Sequence, residues 1–188
     1  MPKKKEESFI EEESFVEDHG NGNVEVQPEK VIVGDKKICL NLGCGFHKIG
    51  EPDWINIDNR DEVNPDMLLD ITEGLPFGDD SVDEVRCFDF LEHVPIGKTI
   101  ALVEEIYRVL KNGSSFESFT PSTDGRGAFQ DPFHVSFWNA NSFLYFCDAD
   151  HRALYGTKAK FIGTVNTIIT NKQLNICHVH AKLTAVKE

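Results

Sequence analysis

The feature that most constrains this chain is a short apolar run that breaks at once into glycine. Ile38, Leu40 and Leu42 share one face of a strand, and Gly43-Cys44-Gly45 follows without a spacer. Glycine lets the backbone turn sharply and lets a ligand approach main-chain N–H groups with no Cβ in the way. Two more strands follow, Trp54–Asp58 and Met67–Ile71, each carrying an acid at or near its end, Asp58 and Asp70. A fourth runs from Val82 to Phe88, and an amphipathic helix spans Gly97–Leu110, its stop supplied by Gly113. Ser114–Phe119 reads as a fifth strand ended by Pro121, and Asn139–Phe146 as a short helix. Lys160–Thr170 and Gln173–Leu183 read as two strands turning at Asn171-Lys172.

This order predicts an α/β fold: a Rossmann-like, mostly parallel sheet with a C-terminal antiparallel hairpin, arranged as a three-layer sandwich. In such sheets ligands sit beyond the carboxyl ends of the strands, near the switch in strand order. The glycine turn, both acids and the Phe88–His93 turn converge there. Residues 1–30 are set apart by four Lys against nine Asp and Glu, and read as an acidic mobile tail. Its Phe9, Ile10, Phe15 and Val16 are either solvated or a docking segment. Residues 31–188 form the folded domain.

Glycine turn, ribose-binding acid and adenine-binding acid describe a nucleoside site without phosphates. Asp58 can accept both hydroxyls of a ribose, and Asp70 an adenine amino group, with the Ile71 N–H completing the edge. Each residue also has a plainer reading: a tight turn for Gly43 and Gly45, a helix cap for Asp58, a turn start for Asp70. A dinucleotide fingerprint needs a third glycine where Lys48 stands, which disfavours a nicotinamide-dependent oxidoreductase.

Leu40-Asn41-Leu42-Gly43-Cys44-Gly45, Trp54-Ile55-Asn56-Ile57-Asp58, Leu69-Asp70, Leu75-Pro76-Phe77, Leu91-Glu92-His93-Val94 and Ile106-Tyr107-Arg108-Val109-Leu110-Lys111 together resemble the class I S-adenosylmethionine-dependent methyltransferases, closest to the small type 11 group. The resemblance runs in order from about Lys37 to Phe146. It implies an enzyme that uses S-adenosyl-L-methionine, with Asn41, Gly43, Cys44 and Gly45 near its methionine part. It further implies Asp58 at the ribose, Asp70 and Ile71 at the adenine, and Phe88 and Asp89 by the amino group and sulfonium. The chain departs from the pattern at Asn41, where an acid is common, and at His47, where a third glycine is frequent. Only 13 positions separate Gly45 from Asp58, against the ~20 of a full strand–helix–strand unit, so the first helix shrinks to a turn or two.

Methyl transfer needs alignment above all, and a base only for a protonated acceptor. His93 and His134 are the candidate bases; His134 lies in the segment Asp131-Pro132-Phe133-His134, which resembles the family's acceptor-side loop. Holding that loop by hydrogen bonding is the alternative role for His134. No metal is expected, because neither Asp148, Asp150 and His151 nor His178 and His180 have a recognised ligand spacing.

A net charge of −13, of which −8 lies beyond the tail, opposes a nucleic-acid partner. The turn Asp89-Phe90-Leu91-Glu92 also lacks the prolines of amino-group DNA methyltransferases. The acceptors that remain are a small molecule, a glycan precursor or a protein segment. No apolar run reaches the ~20 residues of a membrane span, and five cysteines without a C-x-x-C pair suit a reducing cytoplasm. The oligomeric state is left open. The competing reading is a catalytically inactive methyltransferase-like binding module.

Overall fold

The computed structural model describes residues 36–187. The acidic segment 1–30 lies outside the described residues. Seven strands form one sheet: β1 (Cys39–Leu42), β2 (Trp54–Asp58), β3 (Met67–Leu68), β4 (Val82–Phe88), β5 (Leu110–Pro121), β6 (Phe161–Asn171) and β7 (Ile176–Ala185). Their order is β3-β2-β1-β4-β5-β7-β6. Strands β1 to β5 pair in parallel, and β7 runs antiparallel to both β5 and β6. Strand order reverses between β1 and β4, so the chain leaving each opens a crevice at their carboxyl ends.

Alternation sorts the side chains. Leu40, Leu42, Ile57, Val85, Cys87 and Phe116 belong to one buried cluster, into which the main helix α1 (Thr99–Val109) inserts Leu102, Val103, Ile106 and Val109. Fully burying such an aliphatic or aromatic side chain contributes about 1.5–3 kcal/mol. Phe143 and Phe146 join from the segment containing α3 (Leu144–Cys147). Short helices α2 (Gly127–Gln130) and α4 (Ala149–Tyr155) complete the helical elements.

The opposite face is covered differently. Over β1 and β2 it carries an irregular segment, residues 43–53, in place of a helix. That segment is pinned by the amide of Asn41 donating to His47 O at 3.1 Å, and by Asn56 exchanging hydrogen bonds with Ile49 in both directions. The eleven residues between β1 and β2 fall short of the dozen or more that a helical crossover takes, so the layer there is a loop. Further across the same face Arg86 stacks on the rings of Trp54 and Phe88, and Phe119 lies parallel to His178 at 4.5 Å.

Element ends moved for local reasons. Strand β3 stops at Leu68 because Asp70 caps a 3-10 turn, accepting from the Thr72 N–H at 3.0 Å. Helix α1 ends at Val109, where Leu110 turns extended and enters β5 directly, so Gly113, at φ +82, lies within the strand instead of stopping the helix. The expected helix over Asn139–Phe146 is a 3-10 turn running into α3, begun by a capping box between Asn139 and Ser142.

Candidate functional site

Main-chain geometry at the end of β1 is set by two left-handed glycines, Gly43 at φ +63 and Gly45 at φ +49. The turn they make brings the Gly45 N–H to Asp58 Oδ2 at 2.8 Å, tying the end of β1 to the end of β2. Asp58 also accepts from the Arg60 main-chain N–H and from Arg60 Nε. Burial opposes its charge, but Arg60 and the two N–H donors outweigh it and hold the carboxyl below the usual carboxylate range. Asp70 engages Thr72 through Oδ1 alone, and those bonds from the Thr72 hydroxyl and N–H likewise lower its pKa.

Gly43, Asp58, Arg60, Asp70 and Thr72 share one cavity of about 700 Å³, in the range of about 300–1,000 Å³ common for small-molecule sites. Gly43, Asp58, Asp70, Ile71, Asp89 and His93 all line it. The two acids thus face one space, as a nucleoside site requires. Arg60 and Lys98 stand on the same wall, with Lys98 paired to Glu73. A cofactor with a ribose, an adenine and an ammonium group fits this donor and acceptor set, provided that Arg60, half exposed, shares Asp58 with the ribose.

Four residues of the expected set stand elsewhere. Asn41 is buried, its amide held by His47 O and by Asn56 Oδ1 at 2.9 Å. Cys44 is buried, and burial pushes its thiol up. Gly45 acts through its N–H on Asp58 and does not itself line the cavity. Phe88 lies on the far face of the sheet, against Arg86 and Phe119, because Val85 and Cys87 take the core side of β4. Phe90, which sequence reasoning passed over, lines the cavity and packs its ring over Gly43.

A smaller cavity of about 240 Å³ adjoins the first and shares Asp89, His93 and Asp131 with it. His134 lines this second space, its ring 5.0 Å from that of His93. His134 Nδ1 lies 3.1 Å from Ala128 O, which holds its loop, so the bonding role expected for this residue is present. Glu92, 2 % exposed, accepts from the Thr120 hydroxyl, and burial raises its pKa. The loop is laid against Glu92 by the N–H groups of Val135 and Ser136, both donating to Glu92 O.

Residues 53–117 match the family model described as a methyltransferase domain. That segment includes Asp58, Asp70 and Asp89 but neither the glycine turn nor His134. No curated protein sequence matches the chain. Among solved structures, a putative methyltransferase of Haloferax volcanii, seen in complex with the Trm112 methyltransferase activator, aligns with a TM-score of 0.58 at 15 % identity over 85 % of this chain and 84 % of that one. An S-adenosylmethionine-dependent methyltransferase from Archaeoglobus fulgidus gives 0.55 at 13 % identity, covering 79 % and 86 %. The Burkholderia thailandensis 1,6-didemethyltoxoflavin N1-methyltransferase, solved with bound 1,6-didemethyltoxoflavin and S-adenosylhomocysteine, gives 0.55 at 10 % identity, covering 81 % and 72 %. At these identities the likeness is one of fold, and it agrees with the strand order.

Proposed function

We propose that this chain, whose fold resembles that of the class I methyltransferases and whose residues 53–117 match a methyltransferase-domain model, uses S-adenosyl-L-methionine to methylate a small-molecule, glycan-precursor or protein acceptor. One observation carries the reading: Asp58 at the end of β2 and Asp70 in the turn after β3 line the same cavity as Gly43. A ribose and an adenine edge present hydrogen-bond donors at two separated points, and two carboxylates on one wall accept them. Asp89, exposed at φ +47 beyond β4, supplies negative charge for an ammonium group.

The bound cofactor would supply a methyl group on an activated sulfur leaving group. The protein's part is alignment and exclusion of water, for which Phe90, Pro95 and Phe133 supply apolar wall. His93 lies where the two cavities meet and His134 lines the smaller one. Either would serve as the base for an acceptor in the second cavity, since a ring whose Nδ1 donates to a carbonyl keeps Nε2 as an acceptor. The acidic surface favours an acceptor without phosphates. No helix among the described residues is long and apolar enough to cross a membrane.

Calorimetry on the full chain tests the reading. Saturable binding of S-adenosylmethionine and S-adenosylhomocysteine is expected, and no heat at about millimolar ligand would overturn it. The inactive binding module remains the second reading, favoured by Arg60, whose guanidinium engages the carboxylate that a ribose needs. Turnover of labelled S-adenosylmethionine against fractionated extracts separates enzyme from module.

A further inference from the structure

Glu92, His93 and His134 bring one donor atom each to within 4.8 Å of one another. Ligands around a tetrahedral zinc, with bonds of about 2.1 Å, stand roughly 3.4 Å apart, so modest side-chain rotation closes the set. Tautomer geometry points the same way. His93 Nδ1 lies 3.3 Å from Phe133 O and His134 Nδ1 lies 3.1 Å from Ala128 O. A carbonyl only accepts, so both Nδ1 atoms carry the proton and both Nε2 atoms present lone pairs. Metal-binding histidines are commonly fixed in this manner by a backbone carbonyl.

The charge balance is equally directed. Asp89, Glu92 and Asp131 line the smaller cavity together with His93, His134 and His178, and no lining residue is Lys or Arg. Among the described residues no lysine or arginine forms an ion pair with Glu92, although it is buried. A buried carboxyl without a paired cation either keeps its proton or coordinates a metal.

We propose that Glu92, His93 and His134 form a site for one divalent transition-metal ion. Two imidazoles and a carboxylate suit ions such as Mn²⁺, Fe²⁺, Co²⁺ or Zn²⁺ better than Mg²⁺ or Ca²⁺. All three residues line the second cavity. An acceptor hydroxyl bound there would lose its proton more readily, so with the ion bound the metal would stand in for the histidine base. That acceptor role rests on the methyl-transfer reading, whereas ion binding does not.

The test uses the full chain stripped with a chelator and titrated with MnCl₂, ZnCl₂ or MgCl₂ alone, by calorimetry and by Mn²⁺ electron paramagnetic resonance. One tight Mn²⁺ or Zn²⁺ per chain and much weaker Mg²⁺ are expected. His134→Ala and Glu92→Gln should weaken binding beyond the roughly 10–100-fold typical of second-shell changes. Should those buried positions impair folding, His93→Ala at an exposed site must still lower affinity, while His151→Ala, whose ring pairs with Asp148, must not. Absence of a stoichiometric ion, or affinity unchanged in His93→Ala and His134→Ala, overturns the proposal. S-adenosylmethionine titrations of the same samples report separately on the cofactor reading.

Discussion

The ring of Phe90 stands so close over Gly43 that a β-carbon on residue 43 would lie 2.1 Å from Phe90 Cδ2. The glycine is also left-handed, at φ +63. Gly43→Ala therefore combines a backbone penalty of about 1–2 kcal/mol with a steric clash at the mouth of the cavity. A lower melting temperature and at least tenfold weaker S-adenosylmethionine binding are expected. Adding Phe90→Ala should recover part of the stability but not the backbone cost, and a double-mutant cycle by urea denaturation measures the coupling.

Asp58 joins β1 to β2 and faces the proposed ribose, so Asp58→Asn should affect both. Loss of hydrogen bonds to a charged group costs about 1.5–3 kcal/mol, equivalent to roughly 10- to 100-fold in cofactor affinity. The pH dependence follows from its lowered pKa. The folded value lies below the unfolded value of about 3.9, so the stabilisation is complete above that pH and is lost as pH falls through the folded value. Urea midpoints of the two proteins should differ most at neutral pH and converge in acid. A constant difference down to pH 2 would show that Asp58 acts through packing alone.

The strands were legible because their cores repeat every second residue: Leu40 and Leu42 share the buried face as expected, and Ile55 with Ile57 and Val85 with Cys87 follow the same alternation. The same alternation, applied to Phe88, puts it opposite Cys87 and away from the cavity; a strand-end position alone is a poor guide to facing. The hairpin turn falls at residues 172–175 instead of Asn171-Lys172, because Asn171 still pairs with Ile176 across a bulge and Asn175 takes the left-handed conformation. The cluster of Glu92, His93 and His134 has no sequence spacing to betray it. It exists only because the loop after β5 folds back and donates two N–H groups to Glu92 O, a contact across more than forty residues. Phe90 escaped for a similar reason, since nothing in the sequence says what stands over a glycine.

All five cysteines are free, and four of them, Cys39, Cys44, Cys87 and Cys177, are buried. Burial raises the Cys39, Cys44 and Cys87 thiols and pushes Cys147, partly exposed, to about 11. A thiolate is the reactive form, so the native chain should have no fast-reacting thiol at pH 8. Reaction with a chromogenic disulfide should proceed slowly in buffer, and all five cysteines should react promptly in denaturant. One rapid equivalent in the native state would mean that a cysteine side is opening.

Arg108 ties the end of α1 to the loop that precedes β4. Its guanidinium donates to Phe77 O at 3.0 Å and Leu75 O at 3.2 Å, and to Glu105 at 2.6 Å and Asp79 at 2.6 Å. Glu105 in turn accepts from the Leu75 N–H at 2.9 Å, so one planar fork satisfies a turn that has few bonds of its own. Phe77, fully buried beneath this turn, depends on it for position. Lysine carries the charge but not the fork, so Arg108→Lys should lose most of what Arg108→Ala loses, about 2–3 kcal/mol in urea denaturation. Because the network stands apart from both cavities, cofactor and metal affinities should stay within about twofold of wild type wherever the variant is folded.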